Sequence, residues 1–286
     1  MQFAMCNEHY DRPLSETFDR LAALGYDGVE VTPWTFTDSV RTVDDGETAA
    51  VRKAAASAGL DVVGIPRVFR AGDDEHIGSP DPAVRDRTVD ALRATVECCA
   101  AIGGDIVVFG SPNQRSVPEG VDEAVAWEHA VASFSDPDLL ETLRETGVTL
   151  CMEPLSPPHT DFVTTADEAI AFAEAVDHPN VGVCLDGYHL AAEADPIPDV
   201  LRRAAPHLAH FHADNTEGRG PRHGTVDYGP IVETLRAVDY EGYVSLEVHA
   251  DILGDEPFTL DTDEIARDSI AFLRETFGAD GSRPKV

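Results

Sequence analysis

Between Val181 and Asn215 the chain leaves itself few ways to fold. VGVCLDGYHL runs into a short helical interval and then into LAHFHADN. Both ends are apolar runs of strand length, and each stops on groups that bind metals: Asp186 and His189 after the first, His212 and Asp214 after the second. Strand, helix, strand with polar groups at both strand exits is the βαβ unit of a parallel sheet. When such units close into an eightfold barrel, the strand exits form the catalytic face. If other strands aim carboxylates at the same point, the chain is built around a metal ion.

Eight apolar runs of this kind can be counted, at residues 2–6, 28–32, 61–65, 105–109, 148–152, 181–185, 208–212 and 243–248. Several are near-continuous β-branched stretches, as expected of strands buried on both faces. Helical patterns follow them. Pro13 to Glu16 opens a run with Phe18, Leu21 and Leu24 on one face, and Gly25 ends it. Residues 46–58 are alanine-rich and end at Gly59, while Asp81-Pro82 starts a helix through Val89, Leu92 and Val96. Residues 165–176 and 227–238 follow the same logic, 263–277 closes the barrel, and the stretch 121–146 is longer than the other crossovers. The pattern predicts a single (β/α)8 barrel over residues 1–286, with the site at the C-terminal ends of the strands and no second domain.

Composition narrows the function classes. A hydrophobic content of 43% supports one large core. No apolar run reaches the roughly 18 residues of a membrane span, and MQFAMCNEHY lacks the basic and apolar regions of a signal peptide, so a cytoplasmic protein with no membrane contact is expected. Five cysteines with no CxxC spacing read as buried hydrophobes rather than a disulfide scaffold. Asp and Glu number 53 against 21 Lys and Arg, a formal charge of −32, and only Lys53 and Lys285 are lysines. Acidic excess with scarcely any lysine resembles proteins of salt-accumulating halophiles. It also opposes binding to a nucleic-acid backbone.

Four consecutive strand exits carry hard or borderline ligands: Glu153 in CMEP, Asp186 in CLDG, His212 in HFHAD and Glu247 in SLEVH. Three carboxylates and an imidazole suit Mn²⁺ first, with Mg²⁺ or Co²⁺ as alternatives, over a thiolate-loving metal. Any one of these alone reads as a hydrogen-bonded loop residue. Four at equivalent positions on successive strands read as a metal site.

The EPL at 153–155, the D-x-x-H from Asp186 to His189, the H-x-x-D-N from His212 to Asn215 and the final Glu247 resemble the xylose-isomerase-like barrel superfamily. The closer likeness is to its sugar isomerase/epimerase branch, the ketose 3-epimerases, of which D-tagatose 3-epimerase is the type. The resemblance covers most of the chain and implies a (β/α)8 fold, one divalent metal ion and a small sugar or keto-sugar substrate. It further implies that Glu153 and Glu247, bound to the metal, flank the carbon between the carbonyl and its neighbouring hydroxyl. One removes the C3 proton, the metal stabilises the cis-enediolate as a Lewis acid, and the other returns a proton from the opposite face. His189 matches the family's substrate-orienting histidine. The loop DNTEGRGPRHG offers Arg219, in preference to Arg222, at the family's substrate arginine, with an altered turn. Six residues past the first ligand, where these epimerases carry a glutamate for the sugar's terminal hydroxyls, this chain has His159. It could donate to a hydroxyl or meet an acidic or keto group.

The remaining exits add rim candidates: Glu8 and His9, Trp34 and Phe36, Arg67 and Phe69, Ser111 and Asn113. Trp34 and Phe36 read as an apolar wall for a sugar face, and equally as core packing. Arg67 reads as an anchor for an anionic substrate group, or as a partner for one of many acidic neighbours. His249, two residues past Glu247, is offered for a role behind the ligands. Hydroxypyruvate isomerase and inosose isomerase or dehydratase chemistry are the alternatives on the same ligands. An apurinic endonuclease would need histidines at the third and fourth exits, which read GIPRVF and VFGSPN, and a non-catalytic sugar-binding barrel is opposed by the intact Glu153 and Glu247. A homo-oligomer is open, since no apolar surface stripe decides it.

Overall fold

The computed structural model of the chain describes residues 1–157, 159–248 and 261–278. Eight strands, β1 (Gln2–Cys6), β2 (Gly28–Glu30), β3 (Asp61–Ile65), β4 (Ile106–Phe109), β5 (Thr149–Met152), β6 (Val181–Asp186), β7 (Leu208–His212) and β8 (Tyr243–Leu246), form a closed barrel in sequential order. Every pairing is parallel, and the seam is closed by β1 on β8 with Gln2 opposite Tyr243. The fold is the (β/α)8 barrel that the strand pattern predicts.

The helices start and stop on the residues that read as punctuation. α1 (Leu14–Leu24) buries Phe18 and Leu21 and ends at Gly25, whose φ of 102° is a left-handed conformation that costs glycine nothing. α2 (Asp45–Ala58) opens with a reciprocal capping box between Asp44 and Glu47, and α3 (Pro82–Ile102) takes Asp81 as its cap and Pro82 in its first turn. The long 121–146 stretch holds two helices, α4 (Glu123–Phe134) and α5 (Pro137–Thr146), because Asp136 caps a second start just after the first stop. α6 (Ala166–Val176), α7 (Gly187–Leu190), α8 (Ile197–Ala204), α9 (Tyr228–Ala237) and α10 (Thr262–Phe277) complete the ring.

Several strands differ from the sequence pattern at their ends. β2 stops at Glu30 rather than at residue 32, because the Thr32 N–H bonds the Asn7 side chain and the chain turns into a 3-10 turn at Pro33–Thr35. The ladder between β2 and β3 also shifts register between Val29 and Glu30, the kind of irregularity that re-aims a side chain. β6 runs one residue further than expected and includes Asp186, whereas β8 stops at Leu246, so Glu247 and Val248 leave the ladder.

The main core lies between sheet and helices, with Phe3, Met5, Phe109, Met152 and Phe211 fully covered. Val108, Cys151 and Cys184 form a separate small apolar cluster. By the alternation of side chains along a strand, Cys151 shares the face of Glu153 and Cys184 that of Asp186. This places the cluster in the lumen, as a dry floor under the polar mouth. All five cysteines are buried and free. Among the described residues no helix is long and apolar enough to cross a membrane.

Candidate metal centre and active site

Glu153 follows β5 directly, Asp186 and His212 end β6 and β7, and Glu247 follows β8 directly. Neighbouring exits of a barrel converge, and one ligand atom from each of these four residues lies within 4.8 Å of all the others. All four side chains are buried. His212 Nδ1 stands 2.8 Å from Glu247 Oε2 and 3.5 Å from Glu153 Oε1. Yet neither His212 Nδ1 nor Glu153 Oε1 makes a well-aligned hydrogen bond. Buried polar atoms in this state carry a desolvation penalty that a cation between them would relieve. An anionic oxygen-rich set with one imidazole fits a hard or borderline divalent ion, so the residues present fit the expected metal.

The surroundings hold these groups in place. Burial raises the Glu153 carboxyl above the usual carboxylate range, more than the nearby His212 ring lowers it. For His212, burial alone would depress the pKa, but Cys184, Glu30 and Glu247 outweigh it and hold it well above the usual imidazole value. Asp186 Oδ1 accepts the Tyr188 N–H at 2.9 Å and the Asp214 N–H at 3.3 Å. At the β4 exit, Gly110 leaves room for the Glu153 carboxylate, since a Cβ there would collide with Oε2.

His189 sits in α7, one turn beyond Asp186, and is buried. Its Nδ1 accepts the Ser156 N–H at 3.1 Å, so in the neutral ring the proton belongs to Nε2 and that nitrogen is a donor. His159 lies beside it: its Nε2 is 3.2 Å from the Tyr188 hydroxyl, and its ring centroid is 5.4 Å from that of His189. Arg67 bridges the mouth, 3.5 Å from Glu8 and 3.4 Å from Glu247, so the ion-pair reading of this arginine describes what is present. His9 bonds the Val248 carbonyl at 2.9 Å.

The other rim candidates lie on the loops beyond their strands. Trp34 is half-buried and carries the Arg70 guanidinium over its ring at 5.3 Å, and both line a cavity of about 370 Å³ between the β2 and β3 loops. Phe36 packs against the main core. Ser111 and Asn113 bond Phe69 N–H and the Ala71 carbonyl, joining neighbouring loops. Asp214 accepts from Asn215 and Gly220 N–H and shapes the loop beyond β7. Arg219 on that loop is exposed and lines a groove with Asp261, Glu264 and Asp268. His249 lies outside the described residues.

Two further site residues, Glu30 and Arg115, lie outside the pattern of ligands at the strand exits. Glu30 is fully buried at the end of β2 and reaches His210 and His212. Its signal was available: an acidic residue inside a strand expected to be covered on both faces. Arg115 is also fully buried and donates to the carbonyls of Glu153 and Phe109, each at 2.6 Å, which ties the β4 and β5 exits together. Burial lowers its pKa to about 10, with Glu153 opposing. Nothing in SPNQRS distinguishes it from a surface arginine.

A family model described as a xylose isomerase-like TIM barrel matches residues 18–276. A D-psicose 3-epimerase of Agrobacterium fabrum is 28% identical over 91% of this chain and 92% of its own length. A 3-dehydro-D-guloside 4-epimerase of Escherichia coli is 25% identical over 91% and 93%. In overall fold the chain superimposes with a TM-score of 0.85 on a D-psicose 3-epimerase from Clostridium cellulolyticum H10 solved with D-tagatose, at 21% identity and covering 97% and 99% of the two chains.

Proposed function

Since the chain belongs to the xylose isomerase-like TIM barrel family, we propose that it is a divalent-metal-dependent sugar epimerase that inverts the carbon next to a ketose carbonyl. Epimerisation at C3 is the favoured reaction. The observation that carries the reading is the cluster of Glu153, Asp186, His212 and Glu247, with ligand atoms within 4.8 Å of one another. The epimerases similar along nearly the whole chain support the same class.

Glu153, Asp186, His212 and Glu247 would hold the ion, Mn²⁺ in the first instance. When bound, a divalent ion supplies Lewis-acid polarisation of a substrate carbonyl, which makes the adjacent C–H acidic. The protein's own groups do the rest. Glu153 and Glu247 hang from β5 and β8, with β6 and β7 between them, an arrangement that supports approach to a substrate carbon from two sides. One takes the proton from one face and the other delivers a proton to the opposite face, which is what inversion demands. A single carboxylate would return the proton where it came from. His189, with Nε2–H as donor, orients a carbonyl or hydroxyl oxygen. His159, Trp34, Glu8 and Arg219 are assigned to the rest of the sugar, with His159 beside Tyr188 and His189.

The test is incubation in D₂O with Mn²⁺ and high salt across ketoses, hydroxypyruvate and inososes, with product NMR after metal removal. Deuterium at C3 of a ketose together with its epimer is the expected result. Label at another carbon or an unsaturated product would move the reaction to isomerisation or dehydration on the same residues. No exchange in any of these compounds would sink the epimerase reading.

A further inference from the structure

Beneath the four proposed ligands lies a second, fully covered group of polar side chains. Glu30 Oε2 is 3.2 Å from His212 Nε2, and Oε1 is 3.2 Å from His210 Nε2. The Ser245 hydroxyl donates to Oε2, and the Cys6 thiol lies 3.3 Å from the same oxygen. Glu30 is thus gripped from β1, β7 and β8, the strands around it on the inside of the barrel. Its exposure is 0%, as is that of His212.

We infer that Glu30 is a positioning residue for the metal centre: its carboxylate fixes the ring of His212 so that Nδ1, and not Nε2, is the nitrogen offered to the ion. The inference rests on the metal-binding reading of the cluster. A carboxylate is an acceptor only, so the nitrogen facing it must carry the hydrogen. That leaves Nδ1 as the nitrogen turned toward Glu153 and Glu247, 3.5 and 2.8 Å away. Backing of this kind orients a ligating imidazole and makes it a better donor.

A role confined to packing would predict no relation between Glu30 and metal affinity. Here the geometry links them, because the ring has two nitrogens and Glu30 occupies one. Ser245, opposite His212 in the β7–β8 ladder, holds Glu30 in turn.

The metal-free protein is titrated with Co²⁺, following visible absorbance, for the natural sequence, Glu30→Gln and Glu30→Asp. Glu30→Gln is expected to weaken Co²⁺ binding by about 10–100-fold, with Glu30→Asp, which keeps the charge, falling between. Long-range ¹H–¹⁵N spectra of the Zn²⁺-loaded natural protein are expected to show His212 protonated at Nε2 and bound through Nδ1. Equal Co²⁺ affinity in Glu30→Gln would overturn the inference alone. So would a Zn²⁺-loaded natural protein with the proton on Nδ1, an outcome that is readable even if the variants fail to fold. Absence of Co²⁺ uptake by the natural protein would overturn the metal-centre reading and this inference together.

Discussion

Arg67 Nη2 stands 3.4 Å from Glu247 Oε1, which ties the exit of β3 to the exit of β8 across the barrel mouth. The same guanidinium reaches Glu8 at 3.5 Å, and its side chain is 36% exposed, so solvent screens part of the attraction. Arg67 is therefore expected to orient Glu247 rather than to stabilise the fold. Arg67→Ala should lower kcat/KM by about 10–100-fold, somewhat below the loss of a fully enclosed electrostatic donor, with an unchanged melting temperature. Steady-state kinetics on the ketose that turns over would check this, and full activity would separate Arg67 from the chemistry.

Glu153→Gln and Glu247→Gln should each reduce kcat by at least about 100-fold, the lower bound for loss of a general acid or base. Far-UV circular dichroism should be unaltered, since both side chains lie beyond the ends of their strands. A fully active variant at either position would exclude that glutamate as the proton carrier.

Chelation with EDTA should abolish turnover, and Mn²⁺ or Co²⁺ should restore it. The affinity should also depend on pH. In the metal-free chain burial raises the Glu153 pKa, and the surrounding charges raise that of His212 against the opposing effect of burial, so an ion competes with protons that both groups hold more tightly than free side chains do. Binding therefore releases protons and tightens as pH rises through the range in which these groups give them up. Calorimetry in buffers of different ionisation enthalpy would measure the release, and a pH-independent affinity would contradict it.

Arg115→Met should destabilise the metal-free chain by about 3 kcal/mol or more, because two carbonyls bonded by a fully buried side chain lose a charged donor. Guanidinium denaturation would read the change. A loss below about 1 kcal/mol would mean that the loops rearrange to satisfy those carbonyls.

A formal charge of −32 repels itself at low ionic strength. The melting temperature should climb as KCl goes from about 0.1 M, where the screening length is about 10 Å, to about 1 M, where it is about 3 Å. A flat or falling trend would remove the argument for a salt-adapted surface.

Periodicity and punctuation made the barrel legible. Runs of β-branched residues, each followed by a capped helix, specify strand and crossover locally, and parallel strands joined this way admit few closures. The convergence of Glu153, Asp186, His212 and Glu247 was legible for the same reason. A strand exit is a property of the local sequence, and topology brings exits together. Glu30 and Arg115 were not legible as parts of the site. Whether a buried carboxylate touches His212, or a loop arginine turns inward onto the Glu153 carbonyl, depends on the register of strands far apart in the chain. The register shift at Glu30 is likewise a matter of the β2–β3 ladder, and the early end of β2 follows the bond from Thr32 to Asn7 beyond β1. The sequence by itself determined which residues stand at the mouth of the barrel. Only the tertiary structure decided which of them face one another, because contact across a closed sheet is fixed by stagger and closure, and no local pattern encodes either.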